Sequence, residues 1–181
     1  MKFSVSSYSF SQLTKNGNKT EKDLISLAKK IGFEGIEFAE IHPPVSVDKT
    51  SYADELRNEC ERVGITPVNY TIGANFLYPV GRTLESEIER LKKEVDIAKA
   101  LGVSGMRHDA TGGWKKEVRN QRGFNEALPY IVQGCKEVSE YAHTLGIRTM
   151  IENHGFFCQE STRVEQIVNG VGHENFGLLF D

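Results

Sequence analysis

The chain has 181 residues, 39% of them hydrophobic and 26% charged, with a formal net charge of -3. This globular composition excludes disorder, collagen, coiled coils and disulfide-rich scaffolds. No apolar run approaches the roughly 20 residues that span a bilayer, and no basic excess indicates nucleic acid. Serines interrupt the apolar residues near the start of the chain, and no two of the three cysteines form a C-x-x-C pair. We therefore expect a cytoplasmic protein with reduced thiols.

Strands and helices are predicted to alternate along the whole chain. Strands are expected at residues 3–10, 35–40, 65–72, 103–109, 147–153 and 176–180. Apolar stripes at helical spacing follow five start signals, at Thr20, Ser51, Thr83, Asn125 or Glu126, and Ser161 or Thr162. Four of these helices are predicted to end at a glycine that leads into a strand, at Gly32, Gly64, Gly102 and Gly146.

This alternation requires parallel strands joined by right-handed crossovers, with helices covering the sheet. Neither a G-x-G-x-x-G motif nor a P-loop is present, which disfavours a dinucleotide-binding or nucleotide-binding sheet. Polar residues instead follow most strands, as expected at the catalytic end of a (β/α)8 TIM barrel. A full barrel needs roughly 250 residues. We therefore predict one α/β barrel domain over residues 1–181 that covers strands one to six and lacks the last two strand–helix units.

Two carboxylates follow apolar strands at the end of the chain. Glu152 ends the fifth strand and Asp181 follows the sixth. Because neighbouring strands lie about 4.8 Å apart, these side chains could share one divalent cation. Oxygen ligands suit Mg, Mn or Ca, and an added histidine would admit Zn, Co or Fe. Alternatively, Glu152 caps the strand end by binding loop amides.

Four segments carry a resemblance to a known family. They are residues 31–38 (IGFEGIEF), 98–103 (AKALGV), 151–155 (IENHG) and 175–181 (NFGLLFD). In this order and spacing they resemble the xylose isomerase-like TIM barrels, which include sugar phosphate isomerases and epimerases and the family 2 AP endonucleases.

The resemblance implies one divalent metal ion, such as Mn, Mg, Co or Zn, at the barrel mouth. Its ligands would be a Glu ending strand five, an Asp ending strand six, a His from strand seven and a Glu from strand eight. Glu152 and Asp181 match the first two, and the others would lie beyond residue 181. The implied reaction is isomerisation or epimerisation of a sugar or sugar phosphate by proton transfer through a metal-bound enediolate. In that reaction Glu152 would be one of two acid–base residues.

Three further residues are candidates for substrate binding at strand ends. Arg107 could hold a substrate hydroxyl or phosphate, or it could form an ion pair with Glu37. By strand parity Glu37 points inward, so it needs a partner in either case. His108 could contact the substrate or bind metal, and the alternative is a histidine at the rim that is hydrogen-bonded to Asp109.

His154 and Trp114 complete the substrate-binding candidates. His154 shares the parity of Glu152, so it could line the pocket, or it could support a ligand from behind. Trp114 follows the fourth strand, where it could stack on a sugar ring or simply anchor its loop. The apolar loop 73–81 is expected to lie at the mouth as a lid, with an interface patch as the alternative.

The expected partner is a small carbohydrate, with no nucleic acid and no membrane, and a homo-oligomer is left open. One alternative function is that of an AP-endonuclease-like, metal-dependent phosphodiesterase. Strand three offers no histidine for the three-metal site of that class, and the net charge of -3 lacks a phosphate-binding footprint. The other alternative is an inactive, truncated barrel whose open sheet edges pair with another chain.

Overall fold

A computed structural model of the protein describes residues 3–15, 17, 19–77 and 83–180. Within these ranges six parallel strands alternate with helices, the predicted pattern of a (β/α) barrel. The strands are β1 (Ser4–Ser6), β2 (Gly35–Ala39), β3 (Thr66–Ile72), β4 (Gly105–His108), β5 (Arg148–Glu152) and β6 (Phe176–Leu179). The helices are α1 (Ser11–Lys15), α2 (Glu21–Ile31), α3 (Lys49–Val63), α4 (Leu84–Leu101), α5 (Phe124–Thr144) and α6 (Ser161–Val171).

The chain forms two compact units. The first comprises the residues up to Thr71 together with Asp96–Gly105, and the second comprises Ile72–Val95 with the residues from Met106 onward. In the first unit β1, β2 and β3 are neighbours in chain order, and Glu37 of β2 lies opposite Asn69 of β3. In the second unit β4, β5 and β6 are likewise neighbours in chain order.

The first strand is shorter than the prediction of residues 3–10. β1 ends at Ser6, and a 3₁₀ helix covers Ser7–Phe10. The serines explain this change, since the Ser6 hydroxyl accepts a hydrogen bond from the Tyr8 amide at 3.3 Å. Ser7 leaves the strand direction as well, and its hydroxyl accepts from the Ala39 amide at 2.8 Å. Side chains that bond to nearby backbone compete with a strand ladder.

The predicted helix ends are confirmed, but two helices begin earlier than predicted, and one of them is α5, which begins at Phe124. Gly32, Gly64, Gly102 and Gly146 all have positive φ angles, between 71° and 111°, as a left-handed helix cap requires. The helix expected to begin at Ser51 begins at Lys49, because the Asp48 carboxylate accepts from the Ser51 amide at 2.9 Å and acts as the cap. In the described part of the chain, no helix is long and apolar enough to cross a membrane.

The alternation of β2 confirms the predicted face assignment. Ile36 and Phe38 are fully buried, whereas Glu37 and Ala39 are half-buried on the other face. The three cysteines, Cys60, Cys135 and Cys158, are buried and free, as expected. Burial raises the pKa of the Cys60 thiol to about 12 and that of Cys158 to about 11. These thiols are therefore protonated near neutral pH and poorly reactive.

Phe76 has a structural position that the sequence did not predict. The loop after β3 was expected to lie at the mouth as a lid, but Phe76 is 1% exposed. Its ring lies against Gly134 of α5, where a Cβ atom would overlap it. Residues 78–82 of the predicted lid lie outside the described ranges. In the second unit, α5 therefore packs closely on this loop because residue 134 has no side chain.

Gly134→Ala tests this packing. Alanine favours a helix over glycine by about 1 kcal/mol, but here the added methyl group overlaps a buried ring. Overpacking of this kind costs about 1–3 kcal/mol, so we expect a net loss of unfolding free energy in urea denaturation. Gln133→Ala, at the exposed neighbouring position, is the control and should change stability by less than about 0.5 kcal/mol. A Gly134→Ala protein as stable as the wild type would contradict the packing.

Candidate active site

The ends of two neighbouring strands bring four polar side chains together in the second unit. β4 carries Arg107 and is followed directly by Asp109, while β5 ends at Glu152 and is followed two residues later by His154. Since β4 and β5 are adjacent parallel strands, their carboxyl ends lie at the same edge of the sheet. This is the edge at which (β/α) barrels place their catalytic residues.

Arg107 is the centre of the cluster. Its Nη1 atom donates to Asp109 Oδ1 at 2.9 Å, and its Nη2 atom contacts Glu152 Oε2 at 2.8 Å. Nη2 also lies 3.0 Å from His154 Nδ1, and His154 Nδ1 lies 3.2 Å from Asp109 Oδ1. The guanidinium therefore links the residue after β4 to the last residue of β5.

Burial makes this ion-pair cluster rigid but leaves its carboxylates accessible. The Arg107 side chain is 7% exposed, against 18% for Glu152 and 28% for Asp109. A buried guanidinium requires paired anions to offset its lost hydration. The formal charges of Arg107, Asp109 and Glu152 sum to -1. It thus holds Glu152 in one orientation and retains an excess negative charge.

His154 is placed at the solvent side of the cluster. Its side chain is 60% exposed, and its Nδ1 atom lies between a donor, Arg107, and an acceptor, Asp109. Nδ1 accepts from Arg107 when the proton is on Nε2, and it donates to Asp109 when it carries the proton itself. The structure therefore brings together Arg107, Glu152 and His154, three of the residues that the sequence singled out.

Asp109 belongs to the same cluster and was missed as a site residue. From the sequence, Asp109 was expected only as a hydrogen-bond partner for His108. Strand parity could have found it, because residues 107 and 109 share one face of a strand and residue 108 points to the other. In the structure its carboxylate binds Arg107 and His154.

Glu37 lies in the first unit and has a different partner from the one considered. Its Oε2 atom accepts from Asn69 Nδ2 at 2.8 Å, directly across the β2–β3 register. Arg107, for its part, pairs with Asp109 and Glu152 within the second unit. The contact shows that Glu37 and Asn69 share one face of the sheet, and the inward direction of Glu37 stays a prediction. Asn69 was noted at its strand end but was not proposed as this partner.

His108 is fully buried and is not at the rim. It is 0% exposed, and its ring lies 5.8 Å from the Phe76 ring centroid and 6.4 Å from that of Phe176. Its Nδ1 atom lies 2.8 Å from the backbone carbonyl oxygen of Asp109, so the neutral ring donates from Nδ1. Its Nε2 atom has no hydrogen-bond partner in the described part of the chain. The structure does not bring His108 into the polar cluster.

Trp114 is a loop anchor. It is 4% exposed, its Nε1 donates to the Gly123 carbonyl oxygen at 2.8 Å, and Arg122 lies 5.2 Å from its ring centroid. Phe156, two residues after His154 in the sequence, is 50% exposed and packs on Gly113.

The relationship of the chain to known proteins follows from its match to a family model. The family model described as xylose isomerase-like TIM barrel matches residues 25–181. The chain belongs to this family. No curated protein matches the sequence significantly.

Solved structures of xylose isomerase-like barrels have the same fold. The probable 3-DHS dehydratase AsbF of Bacillus anthracis, involved in petrobactin synthesis, is 16% identical with a TM-score of 0.78, over 100% of this chain and 63% of that one. D-psicose 3-epimerase, in the presence of D-fructose, is 18% identical with a TM-score of 0.74, over 100% and 63%. A Mycobacterium smegmatis barrel in complex with magnesium is 15% identical with a TM-score of 0.65, over 87% and 54%. The chain thus spans less than two thirds of these relatives.

The described residues supply part of what a xylose isomerase-like metal centre would need. No group of three or more His, Cys, Asp or Glu side chains that could hold a metal ion occurs in residues 3–15, 17, 19–77 and 83–180. Asp181, the second predicted ligand, lies outside these residues. Glu152 fits a divalent cation in ligand type, since it offers a partly exposed carboxylate, and the net charge of its cluster fits in sign. Glu152 is therefore a possible ligand, and the metal site stays a prediction.

The pH dependence of stability tests the burial of His108. Burial lowers the pKa of His108 to about 4, against the hydrogen bond to Asp109 that raises it. The unfolded chain takes up this proton below about pH 6.5, and the folded chain only near pH 4. Unfolding free energy should therefore fall by about 3 kcal/mol as pH drops through this window.

His108→Gln isolates this contribution, because glutamine can still donate to the Asp109 carbonyl but does not titrate. Urea denaturation of both proteins at several pH values between 6.5 and 4 gives two slopes, in which all other titrating groups are shared. The wild type should lose stability more steeply. Equal slopes would show that His108 is not held neutral by burial.

Proposed function

We propose that this protein is a carbohydrate-modifying enzyme that isomerises or epimerises a small sugar by moving a proton at the carbon next to a carbonyl group. The observation that carries the proposal is the Arg107–Glu152 ion pair of 2.8 Å at the carboxyl ends of β4 and β5. Membership of the xylose isomerase-like family and the fold shared with D-psicose 3-epimerase support it. Because the chain spans less than two thirds of these relatives, the activity of the whole protein is itself a proposal.

In this mechanism Glu152 transfers the proton. General acid–base catalysis needs a carboxylate held within reach of the reacting C–H bond. Arg107 provides the orientation, because its Nη2 atom fixes Oε2 of Glu152, and Asp109 fixes Arg107 in turn. Glu152 is 18% exposed, so a substrate on the solvent side of the cluster can approach it. We propose, from the family resemblance, that a second acid–base group, a glutamate, acts on the opposite face of the substrate.

We also propose that the site uses a divalent metal ion, with Glu152 and Asp181 as two of its ligands. Such an ion would hold the carbonyl and hydroxyl oxygens of a sugar and stabilise the negative charge that develops on them. The net charge of the Arg107 cluster and the magnesium complex of the related Mycobacterium smegmatis barrel support this proposal.

The dehydratase among the related structures is compatible with the same first step. Removal of a proton next to a carbonyl can be followed by return of the proton to the other face or by loss of a hydroxyl group. We propose epimerisation or isomerisation here because the family resemblance points to sugars. The two outcomes differ in product, so they are separable in one assay.

Glu152→Gln tests the proposed role directly. The amide keeps the shape of the side chain but cannot take up the proton, so turnover should fall about 10²- to 10⁴-fold, and bound metal should be lost. Turnover is measured by NMR as deuterium incorporation from D₂O next to the carbonyl of ketoses such as D-fructose and D-psicose. Metal content is measured in the same samples by elemental analysis.

Glu160→Gln is the matched control. Glu160 lies eight positions further along the same loop region, pairs with Arg163 at 3.0 Å and is 56% exposed. Its variant should keep wild-type turnover within about twofold and keep its metal. If Glu152→Gln had the turnover and metal content of the wild type, Glu152 would not be the proton-transfer residue. Absence of deuterium incorporation into any sugar tested would reject the substrate class.

A further inference from the structure

We infer that Glu87, on the outer helix α4, is a positioning residue for the candidate active site. It would act through the loop of residues 73–77, which follows β3 and lies against Asp109. The inference rests on the proposed function for its effect on turnover. Its structural part, the coupling of α4 to the loop, can be tested separately.

Glu87 is unusual among the charged residues of α4 because it is buried. Its side chain is 3% exposed, and Arg90 holds it with two contacts, Nη2 to Oε1 at 2.7 Å and Nε to Oε2 at 2.9 Å. On the same helix Glu89 pairs with Lys92 at the same spacing but is 65% exposed. An exposed pair of this kind contributes little to stability, whereas a carboxylate as buried as that of Glu87 must stay paired and hydrogen-bonded.

Both members of the buried pair bind the backbone of the loop. Glu87 Oε1 accepts from the Asn75 amide at 3.2 Å, and Arg90 Nη2 donates to the Gly73 carbonyl oxygen at 2.7 Å. Hydrogen bonds to charged groups are stronger than neutral ones. The ion pair therefore anchors the loop at two points that lie two residues apart.

The loop in turn contacts successive residues of the segment that follows β4. The Asp109 amide donates to the Ile72 carbonyl oxygen at 3.2 Å, and the Phe76 amide donates to that of Ala110 at 3.1 Å. Thr111 Oγ1 donates to Asn75 Oδ1 at 3.0 Å. Residues 109, 110 and 111 are thus all bound to residues 72–76.

The series of contacts that begins at Glu87 ends at the candidate active site. A Cβ atom on Gly73 would lie 3.9 Å from Asp109 Oδ2, so the backbone of the loop borders the Asp109 carboxylate. Asp109 binds Arg107, and Arg107 binds Glu152. A shift of the loop would displace Asp109 and change the direction of the guanidinium. Misplacement by about 1 Å can cost about 10²-fold in rate, so a remote anchor can control turnover.

Glu87→Gln is the primary test, with Glu89→Gln as the control on the same helix. Amide hydrogen exchange followed by NMR reports the loop without any assay of activity. We expect the Phe76 and Asp109 amides to exchange at least about tenfold faster in Glu87→Gln, while the Val138 amide in the middle of α5 keeps its wild-type rate. Glu89→Gln should leave all three unchanged. Wild-type rates at Phe76 and Asp109, or an equal rise at all three amides, would overturn the positioning role.

Turnover provides the second readout. Displacement of catalytic groups lowers kcat more than substrate affinity, so we expect kcat to fall about 10- to 100-fold in Glu87→Gln with KM within about threefold. An equal kcat in the Glu87 and Glu89 variants would overturn the positioning role. If the wild type transforms no carbohydrate, the proposed function fails, and hydrogen exchange alone still decides the coupling.

Two variants of Thr111 test the same coupling without changing a buried charge. Thr111→Ser keeps the hydroxyl that binds Asn75 and accepts from the Gly113 amide at 2.9 Å, whereas Thr111→Val removes it. We expect faster exchange at Phe76 and Asp109 in the valine variant alone. Identical behaviour of the serine and valine variants would show that the hydroxyl does not transmit the position of the loop, and would overturn the inference.

Discussion

Arg107 joins the ends of two neighbouring strands, since its guanidinium binds Asp109 after β4 and Glu152 at the end of β5. Without this cation, two carboxylates would be left close together and partly buried, where they repel each other and lose hydration. Because the arginine is almost fully buried, its direction is set by packing and not by solvent. The orientation of Glu152, on which the proposed proton transfer depends, follows from this one side chain.

The order of the elements could be predicted because it depends on local chemistry. Glycines in the left-handed conformation commonly end helices, and Gly64 and Gly102 do so here. Alternation along β2 could also be predicted, because one face of a strand must be buried. The early end of the first strand could not be predicted, because the Ser7 hydroxyl binds the Ala39 amide, which lies 32 residues away in the sequence. A contact that distant leaves no mark on local periodicity.

A site residue could be predicted only where the sequence of a single strand was enough to identify it. Glu152 is a carboxylate at the end of an apolar strand, so the sequence of that strand alone indicates it as a candidate site residue. The partner of Arg107 could not be predicted from the sequence. The choice between Glu37 and Glu152 depends on which side chains the folded strands bring within reach. His108 shows the same limit, since Phe76 and Phe176, which border its ring, come from distant parts of the chain. Asp109 is the exception, because parity with Arg107 identifies it.

Three buried polar atoms on β4 and β5 have no hydrogen-bond partner in the described part of the chain: Arg107 Nε, His108 Nε2 and Thr149 Oγ1. Each unsatisfied group costs about 1–3 kcal/mol, so these two strands are less stable than apolar residues would make them. Arg107 explains part of this cost, since a guanidinium directed at two carboxylates cannot also turn its Nε to a third partner. Departures from full hydrogen bonding are expected where function constrains the sequence. Of these three atoms, Arg107 Nε is the one in the candidate active site, whereas Thr149 lies near the amino end of β5 and the His108 ring packs against Phe76 and Phe176.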